Sequence, residues 1–361
     1  MRLVSVFTVQ SGAIVAKAIN NEKGQILLNE GVCLSEGIIN RLKASGITNI
    51  FIKDQATDDI EFEGTLSDPL RREAIQTINS TFVELQNNKS ITSSFVVEKA
   101  SKRFTELIRN LLSEINEKKE LMTLLSEAYS YDNYIFTHSL NVTLYSLAIG
   151  MQLKLSQKEL EILGTGAIFH DIGKLNVPLD ILLKPDKLTD VEYLTIKKHA
   201  EDGFNILRKV QTVPLLVSHC AFQHHERLNG SGYPRGIKGD EIHFFAKIIA
   251  VADVFDAVTS NRVYRSAQLP HEGLEILYAG TGTLFDQSVV EAFRLSVAIY
   301  PVGMTVQLSD GRKGVVSRQN VGLGDRPIVK ILEENGEKVS SYELDMKKEL
   351  TAVILNCDTS Y

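Results

Sequence analysis

Cysteine is scarce in this 361-residue sequence, and its spacing argues against two common kinds of site. The three cysteines are Cys33, Cys220 and Cys357, and no two of them form a CxxC pair. Neither a disulfide framework nor a cysteine zinc site is therefore indicated. Reduced thiols fit the cytoplasm, which is the location that we expect for this chain.

Long apolar runs and an excess of positive charge are also missing. No stretch approaches about 18 uncharged apolar residues, so we expect no membrane span. The N-terminus lacks a basic start followed by an unbroken apolar run, which makes it a poor signal peptide. The formal net charge is −6 at pH 7, so no global basic field indicates duplex nucleic acid as a partner.

The chain is too long for one ordinary domain, and its first two segments differ in character. Residues 1–65 contain short β-rich runs around one helical stretch, and they predict a small α/β or β-rich N-terminal module. Residues 66–130 carry apolar residues at helical spacing and predict a helical connector. This connector is interpreted as a spacer and packing element, with a signal-relay or dimer helix as the alternative. A homodimer would then form through the N-terminal module or the connector helices.

The remaining two segments also differ from each other. The pattern of residues 131–298 predicts a series of consecutive helices, and every strong functional candidate lies there. Residues 299–361 alternate apolar and polar positions, with turn signals at Asp310-Gly311 and Asn335-Gly336. They predict a small antiparallel β module of SH3-like type. The predicted fold class is therefore multidomain, with an all-α domain flanked by two small modules.

Histidine and aspartate cluster within the helical segment. All eight histidines lie between His138 and His271. His170-Asp171 is an adjacent pair, and Asp253 stands in the apolar stretch AVADVFDAV, where a buried carboxylate is costly unless it is paired or metal-bound. Asp256 is three residues further on and would share a helix face with Asp253. Imidazole and carboxylate suit iron, manganese or zinc, although each motif alone is a weak signal.

Five ordered motifs across residues 125–298 resemble the HD-GYP domain, a branch of the HD superfamily of metal-dependent phosphohydrolases. They are DNYIFTHSLNV, FHDIGKLNVP, KKHAEDG, QHHERLNGSGYPRGIKGDEI and AKIIAVADVFDAVTSNRVYR. The resemblance implies an all-helical domain that cleaves cyclic di-GMP. It also implies two divalent metal ions, iron or manganese, which share a hydroxide and bind the scissile phosphate from both sides.

The same resemblance assigns seven metal ligands. The first metal would be held by His138, His170, Asp171 and Asp253. The second would be held by Asp171, His199, His224 and His225, so that Asp171 is shared. Three further histidines, His219, His243 and His271, match no ligand position and are interpreted as packing or surface residues.

Several other residues are candidates for substrate contact. Lys174 follows Asp171 by three residues and would stabilise charge on the phosphate or the water, unless it is simply exposed. Arg262 and Arg265 match arginines that follow the last motif, and guanidinium suits phosphate. On one straight helix residue 262 would lie opposite Asp253, so we predict that the helix ends near residues 259–261.

The turn-rich segment around Gly232-Tyr233-Pro234 has two interpretations. It either lets a dinucleotide approach the backbone or only positions His224 and His225. Gly232 and Tyr233 are candidate substrate contacts under the first interpretation.

One position departs from the family pattern. Some members bind three metals through a glutamate four residues before the first histidine, and here that position is Tyr134. A phenol is a poor ligand at neutral pH, so we expect two metals and pGpG as the main product, with GMP left open. The alternatives are an HD phosphohydrolase for another nucleotide or cyclic dinucleotide, and a non-catalytic signalling scaffold.

Overall fold

The computed structural model describes residues 1–20, 26–45, 47, 49–60, 66–87, 94–118, 122–123, 134–184, 186–260, 268–320 and 322–357, with side chains for all of these except 20, 117–118, 122–123 and 134–136. The helices are α1 Glu36–Ala44, α2 Asp68–Asn87, α3 Ser94–Lys118, α4 Tyr134–Gln152, α5 Gln157–Phe169, α6 Leu179–Leu182, α7 Asp190–Lys197, α8 His199–Leu207, α9 Leu215–Gln223, α10 Phe244–Thr259, α11 Pro270–Ala279 and α12 Gln287–Ser296. Short 3-10 helices span Gln55–Thr57, Ile172–Asn176 and Gly239–Glu241.

The strands are β1 Arg2–Ser5, β2 Ile19–Asn20, β3 Ile26–Leu28, β4 Asn49–Ile52, β5 Met122–Thr123, β6 Val297–Ala298, β7 Thr305–Leu308, β8 Arg312–Asn320, β9 Leu323–Glu334, β10 Glu337–Asp345 and β11 Ile354–Cys357. None of the described helices has both the length and the apolar character needed to cross a lipid bilayer.

Local sequence signals begin the helices that surround the site. Ser156 and Glu159 form a capping box at the start of α5, and Thr189 and Glu192 form another at the start of α7. Each box satisfies backbone N–H groups that the first helical turn leaves without a partner. At α10 the cap is His243, whose Nδ1 accepts from the N–H of Phe245.

The centre of the helical region is α4, whose side chains from residues 138 to 149 are all buried. It packs against α2, α5, α10 and α12. Tyr145 of α4 meets Phe255 of α10 with ring centroids 5.4 Å apart, and Phe255 meets Phe293 of α12 at 4.6 Å. From the predicted connector, Phe104 of α3 contacts Phe169 of α5 at 4.9 Å. The connector helices therefore contribute to the same hydrophobic core.

The N-terminal segment holds two small antiparallel sheets, β1 with β4 and β2 with β3, together with α1. Most of its apolar side chains form a hydrophobic cluster of their own, whereas Leu3 and Phe51 belong to the main core. It also joins the C-terminal sheet, because the N–H of Leu3 donates to the carbonyl of Gly303 at 2.7 Å. Lys330 of β9 and Asp59 form an ion pair at 2.6 Å.

The C-terminal segment is one five-stranded antiparallel sheet in the order β10-β9-β8-β7-β11. The hairpin predicted at Asn335-Gly336 is confirmed, since both residues have positive φ, 52° and 87°, between β9 and β10. Gly311 makes the turn between β7 and β8 with φ 87°. The helical centre, the small N-terminal sheets and the C-terminal antiparallel sheet agree with the predicted classes, while the exact boundaries and the SH3-like type remain predictions.

Candidate metal centre

The predicted metal ligands come from distant parts of the chain and converge on one buried point. They are His138 in α4, His170 and Asp171 at the end of α5, His199 at the start of α8, His224 and His225 directly after α9, and Asp253 in α10. Six of the seven are buried, and His225 is half-buried. The fold thus brings together all the side chains that the motifs select.

His138, His170 and Asp171 form a first group, whose donor atoms all lie within 4.8 Å of one another. Oδ2 of Asp171 is 3.7 Å from Nε2 of His138 and 3.3 Å from Nε2 of His170. Asp253 adjoins this group, with Oδ1 3.2 Å from Nε2 of His138. Its other oxygen is 3.8 Å from Nδ1 of His225, so Asp253 lies between the two groups.

Asp171, His199, His224 and His225 form the second group, again with donor atoms within 4.8 Å of one another. Oδ1 of Asp171 is 3.3 Å from Nε2 of His199 and 3.8 Å from Nε2 of His224. The Nε2 atoms of His199 and His224 are 3.3 Å apart. Asp171 therefore directs one carboxylate oxygen toward each group.

Three of the imidazole rings are fixed by hydrogen bonds on the side away from the cluster. Each Nδ1 faces the backbone carbonyl three residues earlier: Ala167 for His170, Ile196 for His199 and Ala221 for His224, at 2.7, 2.7 and 2.9 Å. A carbonyl can only accept, so each Nδ1 carries the proton. The lone pair of each Nε2 then points into the cluster, which is the arrangement a metal ligand requires.

Asp256 of α10 orients the remaining buried ring, His138. Its Oδ2 lies 2.7 Å from Nδ1 of His138, and its Oδ1 accepts from Nδ2 of Asn141 at 2.8 Å. A carboxylate behind a histidine ligand fixes the ring and raises its basicity. The sequence placed Asp256 on the same face as Asp253 but did not reveal this contact. The second carboxylate of AVADVFDAV is the signal that could have revealed it.

Electrostatics keep both carboxylates of the cluster ionised. Burial opposes ionisation of Asp171, but the ammonium of Lys174 outweighs it and holds the pKa of this carboxyl well below its usual range. Burial also opposes ionisation of Asp253, but its hydrogen bond with His138 outweighs burial and holds the pKa of this carboxyl well below its usual range. Ionised carboxylates are the form that binds a metal.

The histidines of the cluster differ in the direction in which their pKa is shifted. Burial lowers the pKa of His199, His224 and His225, so these rings are neutral and can act as ligands at pH 7. Burial also disfavours a charge on His138, but hydrogen bonds to Asp253 and Asp256 raise its pKa to about 9. A metal bound at this ring would have to displace a proton from it.

The donor set fits a divalent metal ion. Nε2 of His170 and Oδ1 of Asp171 are buried without a hydrogen-bond partner among the described residues. Such atoms cost free energy unless something satisfies them. Nitrogen and oxygen donors without sulfur suit iron, manganese or zinc. The chemistry of the cluster therefore indicates metal binding, while the roles of the individual residues remain predictions.

Lys174 lies in the 3-10 helix that follows Asp171. Its Nζ donates to Oδ2 of Asp171 at 2.5 Å, and its side chain is 22% exposed. It is therefore neither a freely exposed lysine nor a buried one. The ammonium contacts the cluster through Asp171, and part of the lysine side chain reaches solvent.

Gly173 allows two ligand-bearing elements to approach each other. A Cβ at this position would lie 1.9 Å from the carbonyl oxygen of His199 and 2.6 Å from the backbone nitrogen of Gly203. No side chain fits such a gap. The close contact between the 3-10 helix and α8 therefore depends on glycine and helps to bring Asp171 and His199 together.

The segment around Gly232 packs onto the residues that follow α9. A Cβ at Gly232 would lie 2.4 Å from the carbonyl oxygen of His225 and 2.5 Å from the backbone of Glu226 and Arg227. The ring of Tyr233 stacks on that of His225, with centroids 4.5 Å apart and an interplanar angle of 27°. These contacts favour the interpretation in which the loop positions the double histidine, and Tyr233 is half-buried beside it.

Three predicted positions lie outside what the structure describes. They are Arg262, Arg265 and the side chain of Tyr134. The predicted end of the preceding helix is confirmed, because α10 ends at Thr259 and Ser260 closes it.

The three histidines that match no ligand position have other contacts. His219 faces the ring of Phe204 at 5.3 Å, and His243 caps α10. Nδ1 of His271 lies 2.7 Å from the hydroxyl of Tyr300. These are packing and capping contacts, away from the cluster.

Comparison with known proteins finds a matching family model and several relatives. A family model described as "HD domain" matches residues 106–289. A cyclic di-GMP phosphodiesterase of Pseudomonas aeruginosa is 34% identical over 235 residues, which cover 65% of this chain and 56% of the relative. A cyclic di-GMP phosphodiesterase of Thermotoga maritima is 31% identical over 312 residues, covering 78% and 83%.

A third relative acts on a different nucleotide. It is a 3′3′-cGAMP-specific phosphodiesterase of Vibrio cholerae, 38% identical over 168 residues that cover 46% of this chain and 36% of the relative. The chain thus spans about half the length of the Pseudomonas relative, most of the Thermotoga relative and a third of the Vibrio one.

Proposed function

The chain belongs to the HD-domain family, in its HD-GYP branch, and on this premise we propose that it is a cyclic di-GMP phosphodiesterase. The observation that carries the proposal is the position of Asp171, which directs one carboxylate oxygen toward each of two histidine groups. A carboxylate in this position suits a pair of neighbouring metal ions.

We propose two divalent ions, iron or manganese. One would be held by His138, His170, Asp171 and Asp253, and the other by Asp171, His199, His224 and His225. Ions bound in this way supply Lewis-acid activation of both the water and the phosphate. In the hydrolysis, a water oxygen forms a bond to phosphorus while the bond to the ribose 3′ oxygen breaks, and that oxygen leaves with a proton.

The protein's own residues prepare the site for this reaction. Asp256 holds His138 with Nε2 toward the cluster, and the backbone carbonyls do the same for the other buried rings. Lys174 lies against Asp171 at the exposed side of the cluster, where its ammonium would stabilise negative charge on the scissile phosphate.

The outer contacts to the substrate are proposed from the motifs and the loop geometry. Tyr233 stacks on His225 and is half-buried, and its remaining exposed part would contact the dinucleotide, whereas Gly232 acts by packing. Arg262 and Arg265 would bind phosphate through their planar donor groups. With Tyr134 in place of a third-metal ligand, we propose pGpG as the main product.

Turnover of purified protein tests the proposal. The chain is loaded with Fe(II) or Mn(II) without oxygen, incubated with cyclic di-GMP, and the products are separated by chromatography. We expect pGpG to accumulate, and we expect no product from a variant that combines His170→Ala with Asp171→Ala. Asp180→Asn, an exposed position on α6, is the control. Metal-loaded protein that cleaves no cyclic dinucleotide would instead be a signalling scaffold.

A second candidate substrate is a mixed cyclic dinucleotide. It is favoured by the 38% identity to the Vibrio cholerae enzyme named as specific for 3′3′-cGAMP. The ratio of kcat/KM for the two substrates decides between them, and we expect cyclic di-GMP to be preferred. Self-association through the N-terminal module or the connector helices α2 and α3 also remains a proposal, which light scattering tests.

A further inference from the structure

A lysine at the end of α7 lies between two aromatic rings near the candidate metal centre. Nζ of Lys197 is 4.6 Å from the ring centroid of Tyr193 and 5.1 Å from that of Tyr233. Tyr193 is one helical turn earlier on α7, so the two side chains share a face. Tyr233 stacks in turn on His225, a member of the cluster. The ammonium is thus connected to the cluster through one ring.

The charge of Lys197 has no carboxylate partner in the described part of the chain. Two other lysines of this region are paired, because Lys184 contacts both oxygens of Glu192 at 2.8 Å and Lys174 pairs with Asp171. Aromatic faces attract a cation and hold its position, but they do not neutralise its charge. Lys197 is also partly exposed. It therefore presents a positioned, uncompensated positive charge at the rim of the site.

We propose that Lys197, positioned by Tyr193 and Tyr233, binds the phosphodiester of the cyclic dinucleotide that is not being cleaved. This inference rests on the proposed function above. A cyclic dinucleotide carries two phosphodiesters in one ring. When one of them lies on the metal cluster beside Lys174, the other projects away from it. The rim position of Lys197 gives this second phosphate an ammonium partner.

A purely structural role for Lys197 makes a different prediction. If the lysine only held Tyr233 in place, and through it His225, its loss would disturb the cluster itself. Metal content would then fall, and hydrolysis of every phosphodiester would decline together. Binding of the second phosphate predicts an effect only on substrates that have one.

The experiment compares Lys197→Met with Lys198→Met in the full chain loaded with Mn(II). Methionine keeps an unbranched apolar side chain for the two rings while it removes the charge. Lys198 is the exposed next residue and provides the same change of charge. The substrates are cyclic di-GMP and bis(p-nitrophenyl) phosphate, which has a single phosphodiester. Lys197→Arg tests whether another cation restores the effect.

We expect Lys197→Met to raise KM for cyclic di-GMP about tenfold or more, as loss of a charge-assisted contact would. Its kcat, its metal content and its rate with bis(p-nitrophenyl) phosphate should match those of the unaltered chain. Lys197→Arg should recover most of the affinity, and Lys198→Met should behave like the unaltered chain.

Two results would overturn the inference: an unchanged KM in Lys197→Met, or a parallel loss of metal and of activity on both substrates. A chain that cleaves neither substrate contradicts the proposed function instead. In that case calorimetric binding of cyclic di-GMP decides the role of Lys197, because the inference predicts a Kd about tenfold higher in Lys197→Met and equal values would refute it.

Discussion

Replacement of Asp256 tests how the fold holds His138 for metal binding. Asp256 is 1% exposed, and its two oxygens accept hydrogen bonds from His138 at 2.7 Å and from Asn141 at 2.8 Å. Asp256→Ala leaves two buried donors without an acceptor, and each such loss costs about 1–3 kcal/mol of stability. It also frees the ring of His138, and removal of a group behind a metal-binding histidine costs about 10–100-fold in metal affinity.

Asp256→Asn separates these two effects. One amide oxygen remains for His138, and the new NH2 group can donate to the side-chain oxygen of Asn141 if the Asn141 amide turns over. We therefore expect a smaller loss of stability than in Asp256→Ala. The pKa of His138, which Asp253 and Asp256 raise to about 9, should fall because one of the two negative charges is gone. The proton of His138 is then easier to displace, but loss of the carboxylate behind a metal-binding histidine still weakens metal binding overall.

The assay is a Mn(II) titration of each variant together with its thermal unfolding. Asp180→Asn, which changes an exposed carboxyl on α6, serves as the control and should leave both measurements unchanged. We expect weaker Mn(II) binding in both Asp256 variants and a clear decrease in Tm in Asp256→Ala. Unaltered Mn(II) affinity in Asp256→Ala would show that metal binding by His138 does not depend on Asp256, or that His138 is not a ligand.

Three further predictions concern the surroundings of the cluster. Gly173→Ala places a methyl group 1.9 Å from a backbone carbonyl oxygen, so we expect a lower Tm and loss of bound metal. Gly37→Ala is the control, because the atom nearest to its new methyl group is 4.0 Å away and Tm should not fall. Lys174→Met should lower kcat for cyclic di-GMP about 100-fold or more, as removal of a group that stabilises transition-state charge does, and an unchanged kcat would contradict its role. Burial raises the pKa of Cys220 to about 12, and Cys357 is also buried, so in native protein Ellman's reagent should react rapidly only with the exposed Cys33. Rapid modification of more than one thiol per chain would contradict the described packing.

Much of the fold follows from local patterns in the sequence. The apolar periodicity of α4 and α10 and the turn signal at Asn335-Gly336 predicted elements that the structure contains. The end of α10 at Thr259 follows from the family match of Arg262 together with helix geometry, because a straight helix would carry residue 262 to the face opposite Asp253. These features depend on neighbouring residues, and local sequence contains that information.

Other features depend on residues far apart in the chain, and no local pattern revealed them. The hydrogen bond between His138 and Asp256 joins positions 118 residues apart. The run of residues 190–210 has continuous helical periodicity, yet α7 and α8 are separate helices that meet at Lys198. No glycine or proline marks this break. It adjoins His199, whose carbonyl oxygen faces Gly173 in a distant segment of the chain.

Metal stoichiometry tests whether Asp171 is shared by two bound metal ions. Mass spectrometry for metals is applied to protein purified without oxygen and loaded with Mn(II), with Asp171→Ala beside it. We expect two ions per chain in the unaltered protein and the loss of both in Asp171→Ala. One ion per chain, or a variant that keeps both ions, would contradict this sharing.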